Sequence, residues 1–281
     1  MIILREAERL RRFLKNKASG SSFGFVPTMG ALHAGHLTLL QRSKLETEKT
    51  ICSIFVNPTQ FNDPADFNKY PSTLDHDIHM LEMTGVDILF LPDIQEIYPE
   101  GTASLETYDL GRMDQLLEGR LRPGHFQGVC QVVDRLLSVT RPDVLFMGRK
   151  DFQQCMVIRR LIQLKSIPVR MEVCDTVREA DGLAMSSRNT RLSPHDRSIA
   201  PLLYDVLQIL KSGLAAGPLE SLLREGRDAL SAAGFRVDYL EICRTTDLEP
   251  VTEWDGRTPI TALAAAFLGE VRLIDNIDLR S

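Results

Sequence analysis

Two histidines three positions apart, His33 and His36, follow a short apolar run, Phe23-Gly24-Phe25-Val26, and a proline, Pro27. Residues at i and i+3 share one helix face. Gly30 and Gly35 let backbone amides approach a ligand closely where a helix begins. With Thr28, Met29, Ala31, Leu32 and Ala34 between them, the segment Pro27 to His36 reads as strand, turn and helix start, which is an anion site with imidazoles beside it. A pair of imidazoles could also be half of a metal site, and His76 and His79 repeat the spacing. Zinc takes three or four ligands. The chain has no CxxC and no HExxH, and Cys52, Cys130, Cys155, Cys174 and Cys243 are scattered, so no metal site is assigned and His76 and His79 are expected on a solvated helix face.

Three further clusters could do chemistry. Asn57 and Gln60 end the apolar run Thr50 to Val56, with Pro58 forcing a turn; their amides suit hydroxyls and carboxylates, and Asn57 could equally cap the turn. Gly148-Arg149-Lys150-Asp151-Phe152-Gln153-Gln154 again reads as strand, glycine and helix start. Lys150 there could reach a phosphate as a point charge, while Asp151 could be only an N-cap. The stretch Val177 to Asn189 carries Ser186, Ser187 and Arg188 in a glycine-containing loop after Met185. Hydroxyls and a guanidinium can wrap a polyphosphate. A polar linker between domains would have the same composition.

Strand-type runs at Phe23 to Val26, Thr50 to Val56, Val86 to Leu91, Val144 to Met147 and Val169 to Val173 are spaced for crossover helices. That cadence predicts a parallel sheet covered by helices on both faces, a Rossmann-like doubly wound α/β fold over 1–180. In such folds ligands collect beyond the carboxyl ends of the strands. After about Asp175 the rhythm changes: helical patterns at Ile199 to Leu210 and Leu219 to Ala232 precede strand candidates at Val237 to Cys243, Ile260 to Phe267 and Val271 to Ile274. A smaller α+β domain over 181–281, closing over the site, is expected.

The chain has 281 residues, 43% hydrophobic and 25% charged, with net charge -5, which is ordinary for a globular protein. No basic stripe suggests nucleic acid. No apolar run approaches the roughly 18 to 20 residues that span a bilayer, so neither a membrane nor a nucleic-acid partner is expected, and the cytoplasm is the default location. Five scattered cysteines fit free thiols in a reducing compartment.

The segment HAGH resembles the HIGH signature of a nucleotidyltransferase superfamily, and MSSRN resembles its KMSKS loop. PTMGALHAGH, SIFVNPTQF, RPGHFQGV (Arg122 to Val129), GRKDFQQ, READGLAMSSRN and LIDN (Leu273 to Asn276) together resemble the pantoate–β-alanine ligase family over nearly the whole chain. The resemblance implies ATP contacts at Pro27 to His36, Gly148, Arg149, Lys150, Asp151, Val177, Met185, Ser186, Ser187 and Arg188. It implies the catalytic histidine at His36, pantoate contacts at Gln60 and Gln154 and a site arginine at Arg122; the charge that such a reaction develops assigns catalytic roles to His33, Lys150 and Arg188 as well, and Asn57 stays a substrate-contact candidate on its residue type. Arg122 could equally belong to an ordered flap. Arg149 departs from the glutamate usual in the family.

The reaction so implied is ATP-dependent condensation of (R)-pantoate with β-alanine, by way of a pantoyl adenylate, with Mg²⁺ on the phosphates and a homodimeric enzyme. An adenylyltransferase of cofactor synthesis, which keeps AMP on its product, is the alternative within the superfamily. A silent ATP-binding module is the alternative outside it. Whether His36 or solvent takes the amine proton stays open at this stage.

Overall fold

Successive side chains of a strand point to opposite sheet faces, and here the apolar runs follow that rule. Phe23, Phe25, Ile51, Ile88, Phe90, Leu145 and Met147 pack into one apolar cluster, while Val26, Cys52, Ile54, Leu89, Val144 and Phe146 pack into another. Both faces are therefore buried, as a parallel sheet requires. The chain is described by a computed structural model at residues 1–15, 21–62, 67, 70–71 and 73–280. It forms two units, 1–149 with 153–175 and 150–152 with 176–281.

In the first unit the described strands are β1 (Ile2–Leu4), β2 (Phe23–Thr28), β3 (Lys49–Ile54), β4 (Ile88–Phe90), β5 (Val144–Gly148) and β6 (Arg170–Cys174). They form a six-stranded parallel sheet in the order β1-β4-β3-β2-β5-β6. The helices are α1 (Ala7–Lys15), α2 (Ala34–Glu46), α3 (Leu74–Thr84), α4 (Ile94–Ile97), α5 (Leu117–Leu121), α6 (His125–Thr140) and α7 (Phe152–Leu164). Buried residues of α1, α6 and α7 fill the first cluster; those of α2 and α3 fill the second. The chain runs outward from β2 through β3 to β4, then returns to place β5 on the other flank of β2. That reversal makes the carboxyl ends of β2 and β5 the place for a ligand. It is where the sequence places HAGH and GRKD.

The edge strand β1 was not expected. Its three residues pair with β4 from Ile2↔Ile88 to Leu4↔Phe90, with Ile2 and Ile3 exposed at the edge, and a run that short shows no period. The other strand boundaries fall within two residues of those expected for β2, β3, β5 and β6. β4 is shorter than Val86 to Leu91.

In the second unit, β8 (Arg236–Arg244), β10 (Ile260–Leu268) and β11 (Val271–Arg280) form an antiparallel sheet in the order β11-β10-β8, and β7 (Gly217–Pro218) pairs with β9 (Glu253–Trp254). Helices α9 (Leu202–Ser212) and α10 (Glu220–Ala232), which follow the short α8 (Pro194–Ile199), bury leucines and Val206 against small β10 side chains, Ala262, Ala264 and Ala266. The protein is thus a doubly wound α/β sheet with a smaller antiparallel C-terminal sheet. The second unit takes up the chain again at Thr176, and within it Arg178 forms a bidentate pair with Asp275 of β11 (2.6 and 2.9 Å). Among the described residues no helix is long and apolar enough to cross a membrane.

One glycine sets how closely α2 lies on β2. A Cβ built on Gly24 would stand 2.1 Å from Ser43 Oγ, 2.7 Å from Thr47 Oγ1 and 2.9 Å from a ring carbon of Phe146. All three neighbours are buried, and the Ser43 hydroxyl bonds that of Thr50 at 2.9 Å. Gly24→Ala therefore overpacks this layer and is expected to cost about 1–3 kcal/mol of stability, read as a lower urea midpoint at unchanged slope.

Candidate active site

The loop from Met29 to His36 carries no side-chain oxygen, yet its backbone donors must be satisfied where water is excluded. Gly30 N donates to Thr28 Oγ1 at 3.2 Å, and Thr28 Oγ1 donates to Ser53 O at 2.7 Å, fastening the loop to β3. Ala31 N and Leu32 N donate to the two carboxylate oxygens of Asp77 at 2.9 and 2.8 Å. Gly30 and Ala31 both have positive φ, 81° and 51°. Asp77 sits on α3, 1% exposed, and takes a further bond from Thr73 Oγ1 at 3.1 Å. Its neighbours His76 and His79 are exposed.

His33 is the N-cap of α2. Its Nδ1 accepts from Gly35 N at 3.1 Å, while His36 Nδ1 accepts from His33 N at 3.3 Å, a reciprocal capping box built from imidazoles. Backbone N–H groups only donate, so both Nδ1 atoms are acceptors and each neutral ring carries its proton on Nε2. The rings lie 4.1 Å apart, centroid to centroid, and half-buried. Two Nε2–H donors beside a helix N-terminus suit an anion.

After β3 the turn Pro58–Gln60 is capped by Asn57, which is buried. Its Oδ1 accepts from Tyr98 Oη (2.8 Å), Thr59 Oγ1 (3.1 Å) and Thr59 N (3.4 Å); its Nδ2 donates to Gln60 Oε1 and Gly128 O, both at 3.2 Å. The amide of Asn57 is thus committed to the protein and shapes the turn. Gln60 is half-buried, and its Nε2 donates to Met29 Sδ at 3.0 Å, which joins this turn to the histidine loop. His125, buried on α6, bonds Gln60 O through Nδ1 at 2.7 Å, and Arg122 lies 3.3 Å from His125 Nε2. A Cβ on Gly128 would stand 2.2 Å from Thr59 O, so RPGHFQGV is the surface that seats the Gln60 turn.

Beyond β5, Gly148 and Arg149 are half-buried in the first unit, and α7 follows the turn Arg149–Asp151. Gln153 is buried and ties down the backbone of Met113, Leu116 and Glu118, whereas Gln154 next to it is half-buried.

In the second unit, Val177 and Met185 face each other across a hairpin (Met185 N to Val177 O, 2.9 Å), with Arg178 bridging Ala184. The Arg178 guanidinium is held four ways. It meets both oxygens of the buried Asp275, donates to Gly182 O at 3.0 Å and lies 3.6 Å over the Tyr204 ring. Ser186 caps the following turn, Ser187–Arg191, by accepting Arg188 N at 3.2 Å. Lys150 and Asp151 group with this unit; Lys150 Nζ lies 4.0 Å from Asp151 Oδ2.

Asp77, His125, Arg178 and Asp275 carry these geometries and were not assigned roles from sequence. For Asp77 a signal existed: a glycine-rich loop without side-chain oxygens needs an acceptor from elsewhere. Burial pushes the Cys52, Cys130 and Cys243 thiols up to about 12 and Cys174 up to about 11, so these four are neutral near pH 7. Among the described residues no three His, Cys, Asp or Glu side chains converge on a metal-binding position. Asp77→Asn turns an amide NH₂ toward a backbone N–H and is expected to lower stability by about 1–3 kcal/mol. Equilibrium urea unfolding checks this, and an unchanged midpoint would show that the loop finds other acceptors.

The model of the pantoate-beta-alanine ligase family matches residues 2–278. A pantothenate synthetase of Cereibacter sphaeroides is 48% identical over 279 residues, 98% of each chain, and a pantoate–beta-alanine ligase of Schizosaccharomyces pombe is 43% identical over 99% of this chain and 98% of its own. The crystal structure of pantothenate synthetase from Thermus thermophilus superposes with a TM-score of 0.91 at 40% identity over the whole of both chains. A Francisella tularensis pantoate-beta-alanine ligase, crystallised with beta-gamma ATP and beta-alanine, superposes with a TM-score of 0.84 at 35% identity over 99% of this chain and 98% of its own. On these matches the chain belongs to the pantoate–β-alanine ligase family of enzymes.

Proposed function

We propose that this enzyme joins (R)-pantoate to β-alanine through a pantoyl adenylate, with ATP as the activating substrate and AMP and pyrophosphate as products. The observation that carries the reading is the imidazole capping box, which sets His33 and His36 as Nε2–H donors at the N-terminus of α2 and at the carboxyl end of β2. The nucleotide and β-alanine bound to the Francisella relative support it. Mg²⁺ bound with the nucleotide would offset part of its phosphate charge, a role that asks for few protein ligands.

In the first half-reaction a pantoate carboxylate oxygen bonds to the α-phosphorus as the bond to the pyrophosphate oxygen breaks. The carboxylate is already ionised near neutral pH, so no base is needed. The barrier lies in bringing anions together and in charge developing on the phosphoryl oxygens, which preorganised donors lower. His33 and His36 donate to those oxygens; Lys150 and Arg188 offset charge; Ser186, Ser187 and the Gly30 to Gly35 backbone hold the nucleotide. Gln60 and Gln154 bind pantoate, with Arg122 behind the Gln60 turn.

In the second half the β-alanine amine attacks the acyl carbon and AMP leaves. With Nδ1 engaged by the His33 N–H and the proton on Nε2, neutral His36 has no lone pair to offer an ammonium. The amine proton therefore passes to solvent, and His36 acts as a donor throughout.

His36→Ala is expected to lower kcat by about 10²-fold or more, the usual loss for one preorganised donor, in an assay of ATP conversion to AMP with pantoate and β-alanine each omitted in turn. Near-normal turnover would refute the assignment, and AMP retained on the product would favour an adenylyltransferase. Gln60→Ala should raise the KM for pantoate more than that for ATP. Steady-state titration of each substrate separates the two, and an unchanged pantoate KM would remove Gln60 from the site.

A further inference from the structure

The motif Leu273 to Asn276 has so far no part in the reaction, although it lies in the middle of the last strand. Asn276 is 4% exposed, and its Nδ2 donates to the carbonyl oxygen of Lys150 at 2.9 Å, a bond across 126 positions of sequence. We propose that Asn276 is a positioning residue for Lys150: its amide fixes the lysine backbone and thereby the point from which the ammonium reaches a phosphate. The proposal rests on the reading of Lys150 given above.

Three observations carry it. Asn276 is itself rigidly placed: it pairs with Leu263 in the register of β10, the central strand of its sheet, and its backbone N–H is held by Asp275 Oδ1 at 2.8 Å. The same Asp275 takes both guanidinium nitrogens of Arg178, so the hairpin that presents Met185 and Ser186 and the carbonyl of Lys150 are referenced to two adjacent residues of one strand. Finally, Lys150 to Phe152 group with the unit that contains β11 although their sequence neighbours on both sides group with the other. A lysine ammonium ends a flexible four-carbon stem, so its aim depends on its backbone. Misplacement by about 1 Å at a reacting group can cost about 10²-fold in rate.

A double-mutant cycle tests this. Asn276→Ala, Lys150→Ala and the double variant are assayed for pantoate-dependent pyrophosphate release, with kcat/KM for ATP as the readout and the urea midpoint measured alongside. Asn276→Ala is expected to lower kcat/KM by about tenfold or more in the presence of Lys150 and by less than about twofold in its absence, because residues acting as a unit are non-additive. Asn276→Ser, whose hydroxyl is too short to span the contact, supplies a second cycle should the alanine variant yield little folded protein, with the same expectation. Equal losses in both backgrounds, or no loss from either Asn276 substitution, would overturn the proposal while leaving Lys150 in its role. If Lys150→Ala alone left kcat/KM intact, the reading of Lys150 would fall and the proposal with it.

Discussion

The constraint on which the first unit depends is the fate of the backbone N–H groups between Gly30 and Gly35. A loop that leaves a buried strand and enters a helix exposes donors that the helix cannot satisfy, and this loop brings no Ser, Thr, Asp or Asn of its own. Thr28 supplies one acceptor, Asp77 two, and His33 and His36 one each. Each imidazole thereby becomes part of the scaffold through Nδ1, and the chemistry proposed above falls to Nε2. Substituting either histidine removes a cap as well as a donor. Capping groups are worth about 1 kcal/mol, less than the loss in turnover of about 10²-fold expected for the donor role proposed above.

This economy explains why the catalytic loop reads so plainly in sequence while its support does not. Spacing alone shows a strand, two glycines and a pair of histidines on one helix face. Asp77 lies 45 residues downstream of Leu32 in a helix that also carries Asp75, His76, His79 and Glu82, so locally it looks like one more solvated polar group. Asp275 leaves a plainer mark, since it shares the buried parity of Val271, Leu273 and Leu279 on β11, yet the partner that offsets its charge, Arg178, stands 97 residues earlier. Period and composition report on neighbours within a few residues. Contacts across 40 to 120 residues leave no local trace except an unmet demand, such as a loop without acceptors.

Elements were legible in proportion to the apolar surface they bury. The central strands carry alternating large side chains on two buried faces, and so announce both type and direction. The edge strand β1 buries neither Ile2 nor Ile3 and is invisible to the same reasoning. Asn57 illustrates a choice the sequence left open: its residue type fitted a ligand contact or a turn cap, and five hydrogen bonds to the turn, to Tyr98 and to α6 engage its amide. A side chain at the carboxyl end of a strand is well placed to meet a substrate or to shape the turn that does. Which of the two it does is decided by burial.

Charge balance closes the account. For a protein of net charge -5, the polyanionic substrate proposed above would require a local field arranged against the overall sign. Asp77, fastened to the histidine loop, is surrounded by three N–H and O–H donors, which spread and satisfy its charge. Asp275 is neutralised in the same way by the bidentate guanidinium of Arg178. Within its own unit each buried carboxylate thus holds the backbone in shape with its charge already met. Placing the acids behind the loops rather than in them is the arrangement by which an acidic chain could perform the nucleotide binding proposed above.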